Sequence, residues 1–305
     1  MKKRSLSEKF LADFKEGGKF AKVTEIVKYD PTLDFEMRGT SVIIYYKGGK
    51  ILDIKKDGTL KGLDAKYSEN AKYKVVSPTP KMSEIEEYIS TTKRLIDKYL
   101  IEVRNHLGEK EYQQRIVYEN NLSVNANDSD FFIADIEWAD NSQLGGRADI
   151  VAFRWNHMEH RKREVQMVLI EVKQGENSIK SERNGLKKHY DDYQRFKNQK
   201  DYVNEVKEDM ITVLHQKHVL GLVKGIKNLF KNGKLPEVKE EIDFICLLAN
   251  YKPYSSLLHE VLSKMEKDCK FFIASFMGYC LYKDFILTKE ELIKKYPQVR
   301  GFNQK

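Results

Sequence analysis

The sequence contains little cysteine and no long apolar run, and both absences exclude classes of protein. Its three cysteines, Cys246, Cys269 and Cys280, lie in or beside apolar stretches and lack CxxC spacing. A disulfide framework or a zinc knuckle needs paired cysteines, so we expect buried free thiols instead. No stretch approaches the length of a membrane span, and acidic residues interrupt the start of the chain, where a secretory signal needs an apolar segment. We therefore expect a cytoplasmic protein without a membrane partner.

The composition is that of a folded protein with a positive surface. Hydrophobic residues make up 41% of the 305 residues and charged residues 33%, which is typical of globular chains. The formal net charge of +8 favours a polyanionic partner but does not identify one.

Short apolar segments separated by glycine turns characterise the first part of the chain. Residues 40–46 are rich in β-branched and aromatic residues, Gly48-Gly49 offers a hairpin turn, and residues 51–54 continue as a strand. The segment SPTP at 77–80 then interrupts any regular element. We predict a small β-rich N-terminal domain over residues 1–80, with a role in recognition or partner binding, and a second domain over residues 81–305.

Helical and strand patterns alternate in the second part. A capping-box pattern at Ser83 and Glu86 opens a helix that continues to Leu107, and a second helix is predicted over residues 109–121. Later helical periodicity begins at a cap from Ser178 or Ser181 and extends to about residue 230, and another helix covers residues 254–265. Five apolar stretches predict strands, at 131–138, 149–155, 166–172, 244–249 and 271–276. The order predicts an α/β fold.

The residues with the clearest chemistry lie at the ends of two neighbouring predicted strands. The segment GGRADIV, 145–151, places Asp149 where a glycine-rich turn enters an apolar strand, and IEVK, 170–173, ends the next strand. Neighbouring strands can bring Asp149 and Glu171 together as oxygen ligands for Mg²⁺ or Mn²⁺. Lys173, two positions from Glu171, lies on the same sheet face, where its ammonium can orient a water molecule or neutralise charge on a phosphate.

The tripeptide Glu-Val-Lys occurs three times in this chain, so it does not identify a site by itself. The copies at 205–207 and 237–239 lie in charged helical or loop surroundings, and Pro236 stands beside the second. The copy at 171–173 alone follows an apolar strand and has a strand bearing an aspartate just upstream. We therefore select this copy as the catalytic one.

The combination of GGRADI and IEVK resembles the signature of the PD-(D/E)XK nuclease superfamily. That signature is an Asp on one core strand and Glu-x-Lys on the next, and the likeness covers roughly residues 109–280 by the order of elements. Arg147 and Ala148 stand in place of the nominal Pro, a departure that members of the superfamily often show. The resemblance implies a restriction-endonuclease-like core, in which a mixed central sheet is flanked by helices.

The resemblance also implies a third acidic ligand on the helix before the first core strand. Glu111 is our first choice for this catalytic and metal-binding residue, Glu119 is the second, and Glu109 is a further alternative, because the phase of a helix is uncertain from sequence. Each of these carboxylates is equally readable as a solvated charge on a helix.

Basic residues follow the Glu-x-Lys motif and suit a phosphate backbone. Gln174 adjoins Lys173, and the helix that follows has a polar position at His189, where similar nucleases contact substrate. We predict nucleic-acid contacts from six residues, namely Gln174, Lys180, Arg183, Lys187, Lys188 and His189. A solvated basic helix face is the alternative interpretation.

Taken together, these patterns predict a Mg²⁺- or Mn²⁺-dependent nuclease that cleaves DNA, with RNA as the alternative nucleic acid. Restriction, repair and defence against foreign DNA are the settings that the resemblance implies, in a homodimer or in a larger defence or repair complex. Two other functions stay open: a catalytically silent nucleic-acid-binding module of the same fold, and a phosphodiesterase that acts on a small nucleotide.

Overall fold

The computed structural model describes residues 3–64, 67, 77–104, 108–139, 147–156, 162–175, 177–180, 185–249, 256–273, 281, 283 and 286–295. Within these ranges, no helix is both long and apolar enough to cross a bilayer. Cys246 and Cys269 are buried free thiols, as expected, and Cys280 lies outside the described residues.

An antiparallel sheet forms near the N-terminus, after helices α1 (Glu8–Ala12) and α2 (Ala21–Tyr29). Its four strands pair in chain order, namely β1 (Leu33–Met37), β2 (Ser41–Tyr46), β3 (Gly49–Lys55) and β4 (Leu60–Lys61). The predicted meander over residues 40–54 is therefore confirmed. Strand β1 was not predicted, because its sequence LDFEM carries two acidic residues. All five of its residues are nevertheless buried.

Helix α3 (Ile85–Tyr99) packs on this first sheet. A 3₁₀ turn precedes the helix and no side chain caps it, so the predicted capping box at Ser83 and Glu86 is wrong. The helix ends in a π-helical turn at Leu100–Arg104. Its apolar face shares a hydrophobic core with the first sheet and with the C-terminal part of a later helix. The division of the chain at residue 80 stays a prediction.

The remaining elements build a second, larger sheet. They are α4 (Glu109–Asn121), β5 (Phe131–Ala139), β6 (Arg147–Arg154), β7 (Glu164–Gln174), α5 (Asn177–Lys180), α6 (Leu186–Lys197), α7 (Lys200–Val219), β8 (Glu237–Val238), β9 (Asp243–Ala249), α8 (Ser256–Ser263), β10 (Lys270–Ile273), β11 (Leu287–Thr288) and α9 (Lys289–Lys295). The strand order is β11-β10-β9-β7-β6-β5, and β8 pairs separately with the start of β7. Strands β5, β6 and β7 are antiparallel, whereas β9 runs parallel to β7 and β10 parallel to β9.

Helices cover both faces of this mixed sheet. Successive strand residues point to opposite sides, so neighbouring positions pack against different helices. Ile150 and Ile170 belong to a buried cluster with residues of α4. Val151 and Leu169, one position away, belong to a cluster with residues of α6, α7 and α8. The predicted α/β class, with a mixed central sheet between helices, is confirmed.

Buried charges connect the first sheet to the second. Arg38, which follows β1, donates hydrogen bonds to the carboxylate of Asp135 and to the carbonyl of Ile136 (2.9 Å) on β5. Lys217 of α7 lies 2.7 Å from Glu36 of β1, and both side chains are almost fully buried. Polar groups buried in this way are stable only when they are paired.

The β2–β3 hairpin turn also contacts the larger sheet's helix α4. Gly48 has a positive φ of 76°, and its backbone N–H donates to Oε1 of Gln114 at 2.9 Å. A Cβ atom at this position would lie 2.6 Å from Cβ of Lys110, which is closer than real Cβ contacts. Glycine is therefore required here both by the backbone conformation and by the close approach to α4.

Candidate metal centre

Strands β6 and β7 place two carboxylates opposite each other. Ile150 pairs with Ile170 in the antiparallel register, so the next position along brings Asp149 opposite Glu171. Both side chains are buried, and Oδ2 of Asp149 accepts a hydrogen bond of 2.8 Å from the backbone N–H of Val172. The structure thus brings together the two carboxylates that the strand spacing predicts as neighbours.

Glu109 completes a group of three. As the first residue of α4 it is half-buried, and its carboxylate lies with those of Asp149 and Glu171 so that one oxygen from each falls within 4.8 Å of the others. In the part of the chain that the structure describes, this is the one group of three or more His, Cys, Asp or Glu side chains with such a geometry. Three carboxylates suit a hard divalent cation.

Glu111, the first choice for the third ligand, is not in this group. Two residues along a helix correspond to a rotation of about 200°, so Glu111 faces away from Glu109. Its Oε1 instead accepts a hydrogen bond of 2.8 Å from Arg115. Glu119, the second choice, is also outside the group, and its carboxylate accepts from the side chain of Asn125 (3.2 Å).

Lys173 and His189 contact the same oxygen of Glu171. Nζ of Lys173 lies 2.6 Å from Oε1 of Glu171, and Nε2 of His189, from α6, lies 3.1 Å from it. Burial and the charge of Lys173 lower the pKa of His189 to about 4, so the imidazole is neutral near pH 7. The neutral ring therefore lies against the carboxylate of Glu171 without adding a positive charge to the cluster.

The three carboxylates of the cluster carry more negative charge than the single ammonium of Lys173 can balance. Burial, and then the charge of Asp149, raise the pKa of Glu171 to about 8 and that of Glu109 to about 7. Burial also raises the pKa of Asp149. For Lys173, burial works to lower the pKa, but the neighbouring Glu171 outweighs this effect and raises it. Oε2 of Glu171 is buried and has no hydrogen-bond partner.

The residues predicted to contact nucleic acid have different surroundings. Gln174 is half-buried at the end of β7, and Lys180 is exposed, 3.6 Å from Glu260. Lys187 and Lys188 each pair with an aspartate one turn further along α6. Exposed pairs of this kind contribute little to stability and can exchange partners. Arg183 lies outside the described residues, and nucleic-acid contact by all six residues stays a prediction.

Two charged residues near the centre were missed in the sequence. Glu137 has a positive φ of 54° on β5, pairs with Lys110 at 3.1 Å, and its charge helps to raise the pKa of both Glu109 and Asp149. Arg147 acts in the opposite direction on Asp149. Arg147 belongs to the RADI segment, so its place near Asp149 could have been predicted. Glu137 follows a register shift in β5, which the alternation of apolar and polar residues does not predict.

Comparisons with protein-family models, with curated protein sequences and with solved structures give no match to this chain.

Proposed function

We propose that this chain is a metal-dependent nuclease that hydrolyses phosphodiester bonds of DNA. The observation that carries the proposal is the group formed by Glu109, Asp149 and Glu171, whose oxygens approach within 4.8 Å beside the ammonium of Lys173. An acidic triad next to a lysine, at the ends of two adjacent strands, suits a phosphate and a divalent cation together.

The donor set fits Mg²⁺ or Mn²⁺ on two further grounds. The buried Oε2 of Glu171 has no partner, although buried carboxylate oxygens in native proteins are almost always satisfied. Burial, and then repulsion from Asp149, raise the pKa values of Glu109 and Glu171. A divalent cation would relieve both, with one oxygen from each carboxylate as its ligand.

The chemistry that a bound Mg²⁺ or Mn²⁺ would supply is polarisation of the scissile phosphate and a lower pKa for the attacking water. The protein's own residues prepare the site for it. The amide of Val172 fixes Asp149, and the imidazole of His189 lies 3.1 Å from Oε1 of Glu171. The ammonium of Lys173, held by Glu171, is placed to orient the water or to attract the negative charge of the phosphate.

The overall fold also supports this proposal. A mixed sheet between helices, with the acidic residues on adjacent antiparallel strands and on the preceding helix, agrees with a restriction-endonuclease-like core. The net charge of +8 supports a nucleic-acid substrate. DNA, and a setting in restriction, repair or defence, follow from the sequence resemblance.

The test is cleavage of supercoiled plasmid, linear duplex DNA, single-stranded DNA and single-stranded RNA in Mg²⁺, Mn²⁺ or EDTA. Lys173→Ala should abolish cleavage. Lys239→Ala is the matched control, because Lys239 ends another Glu-Val-Lys tripeptide, is exposed, and pairs with Glu164 at the opposite end of β7. It should leave the rate unchanged.

Metal-dependent cutting that Lys173→Ala removes and Lys239→Ala retains would support the nuclease, and the preferred substrate would settle DNA against RNA. Full cleavage by Lys173→Ala, or no cleavage of any substrate by a wild-type protein that binds Mn²⁺, would contradict it. The second outcome would favour a nucleic-acid-binding module or an enzyme of small nucleotides.

A further inference from the structure

A cavity of about 270 Å³ lies at the end of the larger sheet that is remote from the candidate metal centre. We call it the basic pocket, and the lining residues that matter here are Arg154, Lys162, Glu164, Gln166, Lys239 and Lys283. Glu164 and Glu171 are seven residues apart on β7. At a rise of about 3.3 Å per residue, about 23 Å separates the two sites, so they are distinct.

The fold brings four cations to this pocket from separate parts of the chain. Arg154 ends β6 and Lys162 lies just before β7, so the antiparallel pairing of these strands places both at one end of the sheet. Strand β8 runs parallel to the start of β7 and leads to Lys239, whose backbone N–H donates to a carbonyl of β7 at 2.9 Å. The backbone N–H of Lys283 donates to Oδ2 of Asp130 at 3.1 Å, next to the start of β5.

Hydrogen bonds also fix the walls of the pocket. The indole N–H of Trp155 donates to the carbonyl of Lys162 at 3.0 Å and so holds the loop that carries this lysine. The guanidinium of Arg154 donates to Oε1 of Gln166 on the neighbouring strand, and 25% of the Arg154 side chain is exposed. The pocket is therefore formed by the fold itself, which reduces the entropy cost of binding a ligand there.

Positive charge exceeds negative charge in this pocket. The described residues that line it include four cations and one carboxylate, that of Glu164, which lies 3.0 Å from Lys239. Arg154 lies 3.6 Å from Oδ2 of Asp243, but the same oxygen lies 2.5 Å from Lys270. The charge of Asp243 is therefore shared between two cations.

Lys162 and Lys283 account for the excess of charge. Lys162 is exposed and Lys283 is half-buried, and neither ammonium has an anionic partner among the residues that the structure describes. Like charges that line one concave surface repel each other, and an anion between them would remove this repulsion. The two lysines thus point to an anionic ligand.

Charge and size together select the class of anion. Four cations against one carboxylate leave an excess of three positive charges. A phosphate group carries a charge of about −1.5 to −2 at pH 7, so two linked phosphates match this excess, whereas a single carboxylate does not. Pockets that enclose drug-sized molecules have volumes of about 300–1,000 Å³, so this one suits a smaller group. Lysine and arginine both bind phosphate oxygens through charge-assisted hydrogen bonds.

We propose that the basic pocket binds a diphosphate group. Lys162 and Lys283 bind its oxygens, together with Arg154 from the wall. Lys239 exchanges Glu164 for the ligand, since exposed ion pairs are weak. The diphosphate is either the free inorganic anion or part of a nucleoside diphosphate or triphosphate. This site does not depend on the proposed nuclease function, because it shares no residue with the candidate metal centre.

The first test is calorimetric titration of the full chain with inorganic diphosphate, in EDTA and roughly 0.1 M NaCl, which screens distant charges. The wild type should bind saturably. Lys162→Gln and Lys283→Gln should each weaken binding about tenfold, because each removes one charge-assisted hydrogen bond. Neither change breaks an ion pair between described residues, so both variants should fold. Tighter binding of ADP or ATP would assign the diphosphate to a nucleotide, and tighter binding of the inorganic anion would assign it to that source.

Two further variants make the result specific. Glu164→Gln should tighten binding, because it removes a carboxylate from the pocket and releases Lys239. Lys234→Gln is the matched control, because Lys234 is an exposed lysine that does not line the pocket, and the same charge is lost. It should bind diphosphate as the wild type does.

A measurement on the wild type locates the site without any substitution. Acetylation of lysines, followed by peptide mass mapping, is compared with and without saturating inorganic diphosphate. The ligand should protect Lys162 and Lys283 from the reagent and leave the reactivity of Lys234 unchanged.

The proposal would be overturned by the absence of saturable diphosphate binding to the wild type, by equal weakening in Lys234→Gln, or by protection of lysines only outside the pocket. Displacement of diphosphate by duplex DNA at an equal concentration of phosphate groups would also overturn it, since the cations would then belong to a nucleic-acid surface. Because the titration is made in EDTA, its outcome does not depend on cleavage.

Discussion

Within the described residues, two groups of three acidic residues, buried or half-buried, differ in the cations around them. The candidate metal centre has one lysine for its carboxylates, which belong to Glu109, Asp149 and Glu171. The second group joins the two sheets, and its carboxylates belong to Asp34, Glu36 and Asp135. Three cations lie close to the second group, namely Arg4, Arg38 and Lys217.

The difference appears in the titration of the carboxylates. Burial works to raise the pKa of Asp135, but Arg38 and other cations outweigh burial and lower it. Burial raises the pKa of Glu36, and Lys217 acts against that shift. In the metal centre, by contrast, the pKa of all three carboxylates is raised. The cations around the second group thus lower the pKa of one of its carboxylates, Asp135, whereas burial raises the pKa of Asp34 and Glu36.

The largest effect that tests this comparison is expected on cleavage. Glu171→Gln should slow cleavage by at least about a thousandfold, because a ligand and the partner of Lys173 are lost together. It should not destabilise the metal-free protein at pH 8, since it removes a repelling charge. Single-turnover cleavage and thermal unfolding measure the two effects.

Glu36→Gln is the matched change in the second group. It should lower the stability and leave the cleavage rate of the folded protein close to that of the wild type. Loss of cleavage in a folded Glu36→Gln protein would show that the two groups are not separate in function.

The next largest effect is expected on stability. Lys217→Met leaves Glu36 without its closest cation in a fully buried position, and the free energy of unfolding should fall by about 3 kcal/mol. Adding Glu36→Gln should recover part of this loss. Urea denaturation measures it, with Lys207→Met as control, because the buried Lys207 faces a backbone carbonyl and should cost less. Equal losses for the two lysines would refute a special role for the pair.

The pH dependence should have opposite signs at the candidate metal centre and at Asp135 of the second group. Glu109 and Glu171, with folded pKa values of about 7 and 8 in place of 4.5, bind more protons when folded than when unfolded. In EDTA, stability should therefore fall by several kcal/mol as pH rises from about 5 to 9. Asp135, with a lowered pKa, contributes stability that is lost when pH falls below about 4.

Unfolding at each pH measures this dependence, and two additions assign it. Mn²⁺ should reduce the fall on the alkaline side, because the cation replaces the protons. Glu171→Gln should reduce it as well. A curve that is flat between pH 5 and 9 in EDTA would contradict the raised pKa values of Glu109 and Glu171.

The smallest expected effect is on metal affinity. Glu109→Gln should weaken Mn²⁺ binding about ten- to a hundredfold, since two of three carboxylate ligands remain. Glu111→Gln, two residues along the same helix, should leave Mn²⁺ affinity unchanged. Titration followed by calorimetry or by the paramagnetic signal of Mn²⁺ measures the affinity of each variant. A weaker affinity for Glu111→Gln would identify Glu111 as the third ligand.

The sequence predicts the strands of the metal centre well, because side chains alternate along a strand with a fixed period. Once the apolar stretches at 149–155 and 166–172 are paired as neighbours, Asp149 and Glu171 fall at the same end, and Lys173 must share the face of Glu171. The structure places these three side chains together, and their catalytic roles stay predictions.

The helix phase could not be predicted in the same way. Glu109, Glu111 and Glu119 all lie on α4, and the choice among them depends on where the helix begins and how it rotates against the sheet. Contacts between distant parts of the chain are equally invisible in the sequence. Arg38 meets Asp135 at a separation of 97 residues, and only the folded chain brings them together.

The contact of Gly48 with α4 matters for how the protein is dissected. A fragment that starts at residue 81 would contain every residue of the metal centre, and yet it would lack the N–H that binds Gln114 and the backbone that packs on Lys110. Helix α4 would lose a support on the turn that carries Glu109. Inactivity of such a fragment would therefore be uninformative about catalysis, and deletion studies of this protein are best replaced by point substitutions in the intact chain.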